Sequence, residues 1–546
     1  MYSLSRMLKM KLVKVILITF ILFASIVLQN NLAMDKNFRT INLRDQIHNE
    51  KIHRFEKNQN VNDQFNLQMN PDPSKNSDPS ENHITNWEPQ GINPDVVDPA
   101  AFVSYWNTSL TSSGSSSDNQ IKLPLESSGT YNFSVYWGDG SSNTITKYND
   151  TAVTHSYSTS GLYNITIINT LIGWSFNNSG DRLKLMEIAQ WGDLHLGNSG
   201  SYFYGSSNLR LTANDTLDLT GTTSLRNAFY GTSSLNRTGN LNSWNVSQVT
   251  DMGYMFAGGS SFNQPLGNWD VSQVTTMAKM FAGTSSFNQP LDSWDVSQVT
   301  TMVEMFAGAR SFNQPLDSWD VSQVTDMGWM FSGANSFNHS LNNWNVSQVN
   351  NMRGMFDNAI SFNQPLNSWD VSQVTDMGWM FSGANSFNQS LGNWNVSQVT
   401  YMGRMFSGAN SFNQPLGNWN VSQVTTMVEM FYQVTLSIAN YDNILTGWSA
   451  LNLQHGVPFD AGYSKYSKTV GEPARKFIIN TFGWLISDRG VYPPPIINTT
   501  PTTSTTPTST TTPTSTTTPT PFSLVTLIAI PMLAMMQYKR KIRKNY

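Results

Sequence analysis

A tryptophan recurs every 25 residues, at Trp244, Trp269, Trp294, Trp319, Trp344, Trp369, Trp394 and Trp419, each inside a near-copy of SFNQPLxxWDVSQVTxMxxMF. This period constrains the fold more than any compositional figure. A 25-residue unit cannot bury its apolar face alone, whereas a stack of such units buries one continuous core. The cooperative unit is therefore the array, and arrays of this kind usually present binding surfaces rather than active sites.

Within the unit around Trp269, Leu266, Trp269 and Val271 have the L-x-x-L-x-L spacing of a leucine-rich repeat. That spacing predicts a short strand with these side chains inward and Gly267, Asn268, Asp270 and Ser272 more exposed. Val274, Met277, Met280 and Phe281 follow at three- and four-residue steps, which predicts a helical or 3₁₀ turn closed by Gly283. Pro290 breaks the chain before the next strand. The fold class expected is mainly β with short helical turns: a leucine-rich-repeat solenoid of parallel strands over residues 181–435. About ten rungs at roughly 4.8 Å each make a rod or shallow arc about 50 Å long.

Two weaker rungs precede the regular eight. Asp218-Leu219 with Leu225, Ala228, Phe229 and Gly231 aligns on Asp270-Val271 with Met277, Met280, Phe281 and Gly283, and Trp191 to Leu209 forms a more divergent turn. After Trp419 the pattern stops. Residues 436–490, with Tyr441, Trp448, Phe459, Tyr463, Phe477 and Trp484, read as a cap over the last rung.

Both ends of the chain point to an extracellular setting. Residues 1–33 have the layout of a secretory signal, with Arg6, Lys9, Lys11 and Lys14 before the apolar stretch Val15 to Leu28; an uncleaved anchor is the alternative. Residues 34–99 are polar and read as a disordered spacer. Residues 491–521 form a Thr/Pro-rich stalk, and 522–538 an apolar run followed by the basic tail 539–546. The run is at the short end of the roughly 17 to 25 residues that span a membrane, and its basic flank places the C-terminus inside. The alternative is a sorting tail exchanged for a lipid. Either way the globular part is expected at the cell surface, tethered to the plasma membrane.

There is no cysteine, so no disulfide supports the ectodomain, as in bacterial and archaeal surface repeats. A formal net charge of −4 leaves no basic stripe for nucleic acid. Fourteen N-x-S/T sequons permit glycosylation, in a chain whose richness in Asn, Ser and Thr would place many by chance.

The repeat FNQPLxxWDVSxVTxMxxMF resembles the BspA-like leucine-rich-repeat surface proteins. So does the ending Ala439-Asn440-Tyr441-Asp442, Gly447-Trp448-Ser449, Phe459-Asp460-Ala461-Gly462 and Phe482-Gly483-Trp484, and the likeness runs from about Leu183 to Gly490. Upstream, Tyr136-Trp137-Gly138-Asp139-Gly140, His155-Ser156-Tyr157 and Gly161-Leu162-Tyr163-Asn164-Ile165-Thr166 resemble the PKD-type β-sandwich (polycystic-kidney-disease repeat), giving a PKD-like module over 100–180 with an incomplete WDFGDG motif. The resemblance implies surface display, with adhesion or protein binding among some members. Stalk, run and tail resemble archaeal surface proteins, and no LPxTG motif is present.

Three columns of residues carry the candidate chemistry. After each Trp stand Asn245, Asp270, Asp295, Asp320, Asn345, Asp370, Asn395 and Asn420. Stacked carboxylates at Asp270, Asp295 and Asp320 repel unless hydrogen-bonded, protonated or bridged by a cation such as calcium. The free exchange of Asn for Asp favours bonding to backbone N–H groups at a turn over the metal. The second column, Asn263 to Asn413, reads as a buried asparagine ladder. The third varies: Gly253-Tyr254, Ala278-Lys279, Val303-Glu304, Gly328-Trp329, Arg353-Gly354, Gly378-Trp379, Gly403-Arg404 and Val428-Glu429 lie between the methionines. Tyr254, Trp329 and Trp379 occupy positions that other rungs fill with charge, so they are the candidate ligand-binding residues, with packing between rungs as the alternative. Trp329 and Trp379, two rungs apart, are expected roughly 10 Å from each other.

His155 reads as a packed strand residue, His339 as a chance replacement of Gln, and Asp139 as a turn residue. No Cys nucleophile, G-x-S-x-G, H-E-x-x-H or phosphate loop assembles a catalytic constellation, and no cofactor is expected beyond the calcium alternative. The function expected is adhesion through an extracellular protein or glycan, the rival being an envelope component that self-associates through its solenoid.

Overall fold

The computed structural model describes residues 98–235 and 239–492. The expected signal, most of the spacer, all of the stalk after residue 492, the apolar run and the basic tail lie outside these residues. Among the described residues no helix is long and apolar enough to cross a membrane. The described chain is mainly strand and turn, with two α-helices.

The N-terminal part is built on β1 (Phe102–Asn107), β3 (Leu125–Tyr136), β4 (Ser142–Ile145) and β6 (Leu162–Trp174). Strict alternation makes β1 a strand: Phe102, Ser104 and Trp106 point inward, and the Trp106 indole donates to the Ser104 hydroxyl at 2.9 Å, which lets a polar residue lie in the core. β6 is the central strand, antiparallel to both β1 and β3. A smaller sheet pairs β2 (Gln120–Lys122) with β5 (Thr154–Ser156).

No boundary falls at residue 180. β7 (Leu185–Gln190) pairs with β1, and β9 (Arg210–Leu211) pairs with β7 in parallel, while β8 (Leu194–His195) pairs with β6. The first turns of the array thus complete the N-terminal sheet, whose order is β4-β3-β6-β1-β7-β9. A fully buried Lys184 ties the junction. Its ammonium donates to the Ser116, Ser117 and Gln120 carbonyls at 2.7–3.0 Å, and Asp181, also buried, lies 3.5 Å away.

In the array, parallel bridges join Asp251, Thr276, Thr301, Asp326, Asn351, Asp376, Tyr401 and Thr426, one per unit. Alternate backbone N–H groups then reach the following unit: Met277, Lys279, Phe281 and Gly283 donate to Thr301, Val303, Met305 and Ala307. This corrects the expected assignment of strand and turn. Leu266 to Val271 makes turns, with the Trp269 N–H returning to the Leu266 carbonyl, while the segment expected to be helical carries the pairing between units. Short apolar runs cannot separate the two periods. The Thr275 N–H and hydroxyl both donate to the Thr250 carbonyl, which accounts for the recurring Val-Thr.

The same pairing extends beyond the regular repeats. Ser201, Phe203 and Gly205 donate to Arg226, Ala228 and Tyr230, and Phe176 and Asn178 donate to Tyr202 and Tyr204. At the other end Met427 donates to Pro458, and β10 (Pro458–Asp460) runs parallel to β11 (Leu485–Ser487). Two helices lie among these last turns: α1 (Ile438–Ser449), capped by the Ser437 hydroxyl, buries Tyr441, Ile444, Leu445 and Trp448, and α2 (Gly471–Phe482) buries Ala474, Ile478 and Phe482. The cap therefore continues the stack rather than only covering it.

The core is columnar. Leu266, Trp269, Val271, Val274, Met277, Met280 and Phe281 are all buried, and so are their counterparts in the other regular units. Successive Trp rings lie parallel at 6.3–6.5 Å, and from Trp269 to Trp419 each indole N–H crosses to the Leu carbonyl of the preceding unit, as Trp319 does to Leu291 at 2.9 Å. A Phe or Leu would fill part of that space but leave the carbonyl without a donor, which explains why the tryptophan does not vary. Trp448 and Trp484 keep the indole bond, to Leu416 and Gln454, after the 25-residue spacing is lost.

The asparagine ladder has the expected bonding and a different location. Asn288 N–H donates to the Asn263 side-chain oxygen at 2.9 Å, and Gln289 donates to the same oxygen. These asparagines are exposed or half-exposed rather than buried. The ladder seals the rim of the stack, where backbone would otherwise depend on water.

Candidate functional site

Each unit contains two residues in the left-handed backbone region. The first column is Tyr254, Lys279, Glu304, Trp329, Gly354, Trp379, Arg404 and Glu429, with φ between 53° and 60°. The second runs through Gly258, Gly283, Gly308, Gly333, Asn358, Gly383, Gly408 and Gln433. Each first-column residue is third in a turn closed by an i+3 N–H, as from Met255 to the Met252 carbonyl, the position where a type II turn requires positive φ. Glycine or asparagine is the ordinary choice there, and the second column uses them in every unit but the last, where Gln433 has φ 65°. The first uses large side chains, each at a cost of roughly 1–2 kcal/mol.

The side chains of this column meet one another and the aromatic residues that flank it along the stack. Tyr204 stacks on Tyr230 at 4.7 Å, and Tyr230 meets Tyr254 at 5.9 Å. The Arg226 guanidinium and Lys279 ammonium lie over the Tyr254 ring, 5.2 and 5.4 Å from its centre. Lys279 pairs with Glu304 at 3.0 Å, and Arg404 with Glu429 at 2.8 Å. Burial works against the Lys279 charge, but Glu304 outweighs it and holds the ammonium above its ordinary range.

Trp329 and Trp379 do not stand apart. Gly354, in the rung between them, has no side chain; a Cβ there would fall 2.2 Å from the Trp329 ring. Trp329 leans across this gap, and the two ring centres lie 6.3 Å apart rather than at two full rung spacings. Trp379 is only 8% exposed, stacked on Tyr401 at 5.7 Å with the Arg353 guanidinium 4.1 Å above it. Of the three aromatic candidates, Tyr254 and Trp329 are therefore the half-exposed ones, and Trp379 supports them. Gly378 makes this possible, since a Cβ on it would strike Tyr401 at 2.4 Å.

Sequence reasoning missed Arg226 and Tyr401 and named Arg353 only as a member of the varying column; all three complete the face from neighbouring positions. It also missed the backbone strain, although Asn227 (φ 55°) and Gly354, the two members of the column suited to this geometry, were a visible signal. The cations of the face are paired with carboxylates, Arg226 with Asp251 and Arg353 with Asp376 among them. Its chemistry is that of flat aromatic surface bordered by balanced hydrogen-bonding charge.

The Asx column is exposed and takes part in turns. Asp270, Asp295 and Asp320 accept the N–H of Ser272, Ser297 and Ser322 at 3.0–3.1 Å. The Ser297 hydroxyl and N–H hold the Asp295 carboxyl below the usual carboxylate range. Among the described residues no group of three or more acidic or histidine side chains could hold a metal ion.

A Ser-His-Asp cluster occurs at the N-terminal sheet. His155 Nε2 lies 2.7 Å from Asp139 and 3.4 Å from the Ser141 hydroxyl, and the Ser141 hydroxyl and N–H also donate to Asp139. Burial raises the Asp139 carboxyl, but Ser141 and His155 outweigh it and leave it lowered. A catalytic relay needs acid and nucleophile on opposite ring nitrogens. Here both meet Nε2, while the ring stacks on Trp137 at 4.8 Å, an arrangement that braces a turn.

Residues 223–344 and 329–448 match the model of a family described as "Mycoplasma protein of unknown function, DUF285". The matched segments cover most of the stacked units and leave out the N-terminal sheet. No curated protein and no solved structure matches the chain.

Proposed function

We propose that this chain is a BspA-like leucine-rich-repeat solenoid with an N-terminal PKD-like module, tethered at the cell surface, and that it mediates adhesion through the first left-handed column. One observation carries the reading: large side chains are kept in a strained backbone column while the neighbouring column, under the same geometry, is almost wholly glycine. Strain of this kind is retained where a side chain does work that the fold alone does not need. Half-exposed Tyr254 and Trp329, with paired charges around them, suit a protein or glycan partner and give no stripe of excess positive charge for nucleic acid.

The test uses cells that display the full chain. A membrane-impermeant biotin reagent should label it on intact cells. Tyr254→Ser together with Trp329→Ser should lower cell attachment to protein-coated or polysaccharide-coated surfaces by about tenfold or more, as expected for loss of two contacts worth over 1 kcal/mol each. Unchanged attachment, with unchanged circular dichroism, would remove the column from the adhesive surface. Regular sheets or fibres of purified chain in negative stain would favour the self-assembling envelope role instead.

A further inference from the structure

The Asx column holds Asp in four regular units and Asn in the other four, at Asn245, Asn345, Asn395 and Asn420. For the turn the two are equivalent. Asp270, Asp295, Asp320 and Asp370 accept the Ser N–H two residues on at 3.0–3.1 Å, and the four asparagines do so at 3.2 Å. What Asn adds is an Nδ2 amide, which makes no hydrogen bond among the described residues. All four side chains are exposed. With Oδ1 fixed by the turn, the amide nitrogen is directed away from the backbone it caps.

Each of these asparagines is followed by Val-Ser, and in two units the Ser hydroxyl also reaches the Asn oxygen: Ser247 to Asn245 and Ser422 to Asn420, both at 2.7 Å. Other sequons differ. Asn338 and Asn388 spend their side-chain oxygens on the N–H groups of Asn363 and Asn413 in the ladder.

We propose that Asn245, Asn345, Asn395 and Asn420 are N-glycosylation sites, forming a sugar-bearing edge on the stack. The proposal rests on the surface reading above. The co-reactant is a glycosyl donor, a sugar joined through C1 to the pyrophosphate of a lipid carrier. Nδ2 attacks C1, the C1–O bond to phosphate breaks, the pyrophosphate leaves with the electron pair, and one amide proton passes to a base. The fold is unaffected because the attacked nitrogen has no other bond to lose. Asn395 and Asn420 lie on adjacent units, at a spacing of about 4.8 Å that crowds two sugars. Occupancy at one should therefore reduce occupancy at the other.

The test is glycopeptide mass spectrometry on full-length protein isolated from its own cells after surface biotinylation. Sugar is expected on Asn245, on Asn345 and on either Asn395 or Asn420. Changing all four to Asp keeps the turn, so the melting temperature of the protein after enzymatic removal of its sugar should match that of the variant, while the parent's excess mass at these peptides disappears. A biotinylated chain with all four asparagines bare, whether or not sugar is found on Asn132 or Asn149, overturns the proposal and leaves the surface reading standing. A chain that biotin does not reach overturns both.

Discussion

Two substitutions at Trp319 separate the packing of the tryptophan column from its hydrogen bond. The ring is 2% exposed, lies 6.5 Å from both Trp294 and Trp344, and donates to the Leu291 carbonyl at 2.9 Å. Trp319→Phe keeps much of the packing and leaves that carbonyl without its donor, at a cost of about 1–3 kcal/mol. Trp319→Ala removes the ring as well and opens a cavity between two neighbouring units, for a total of about 3–5 kcal/mol. Urea unfolding followed by circular dichroism is the assay, read as midpoints because stacked repeats need not unfold in one step. A loss of 4 kcal/mol moves the midpoint by about 1 M or more for slopes of about 1–3 kcal/mol/M. An unchanged midpoint for Trp319→Ala would refute the buried column. Equal losses from Phe and Ala would place the whole effect on the hydrogen bond and refute the packing argument.

The two left-handed columns should respond oppositely to substitution. Gly308→Ala should lose about 1–2 kcal/mol from backbone strain, whereas Glu304→Gly relieves a similar strain while losing its pair with Lys279, and should change thermal stability by less than about 1 kcal/mol. If Asp270, Asp295 and Asp320 serve only as turn acceptors, chelator should leave the melting temperature unchanged; a rise of several degrees in millimolar calcium, abolished by Asp295→Asn, would support the metal instead. Because the Asp295 carboxyl is lowered in the folded chain, its contribution is present at neutral pH and fades as pH falls through that lowered value; Asp295→Asn should flatten this part of an acid melt. Lys279 is raised, so its contribution is present at neutral pH and is lost as pH rises through the folded value. The alkaline fall in melting temperature should be smaller in Lys279→Met.

Much of the array was legible in the sequence because repetition exposes what each position tolerates. The invariant Leu, Trp, Val, Met and Phe are the buried columns, and the Asn/Asp exchange after Trp marks a site where the turn itself needs only a side-chain oxygen. The divergent turns at Trp191–Leu209 and Leu219–Gly231 were also readable from a few aligned apolar residues, and both join the backbone ladder.

Tertiary structure alone decided where the backbone pairs and which residues are strained. Met277, Met280 and Phe281 have helical spacing, yet their segment pairs with the next unit, because a closed 25-residue turn places that stretch against its neighbour. Positive φ at Tyr254, Lys279 and Trp329 runs against the preference of those residues, and only Asn227 and Gly354 in equivalent positions of other units hint at it. The closeness of Trp329 to Trp379 depends on Gly354 in another unit, and the joining of β7 to β1 on strands about 80 residues apart in the chain. Sequence period sets which residues recur together; the spatial closure of the units sets what each one touches, because contacts between rungs are long-range and a local pattern carries no record of them.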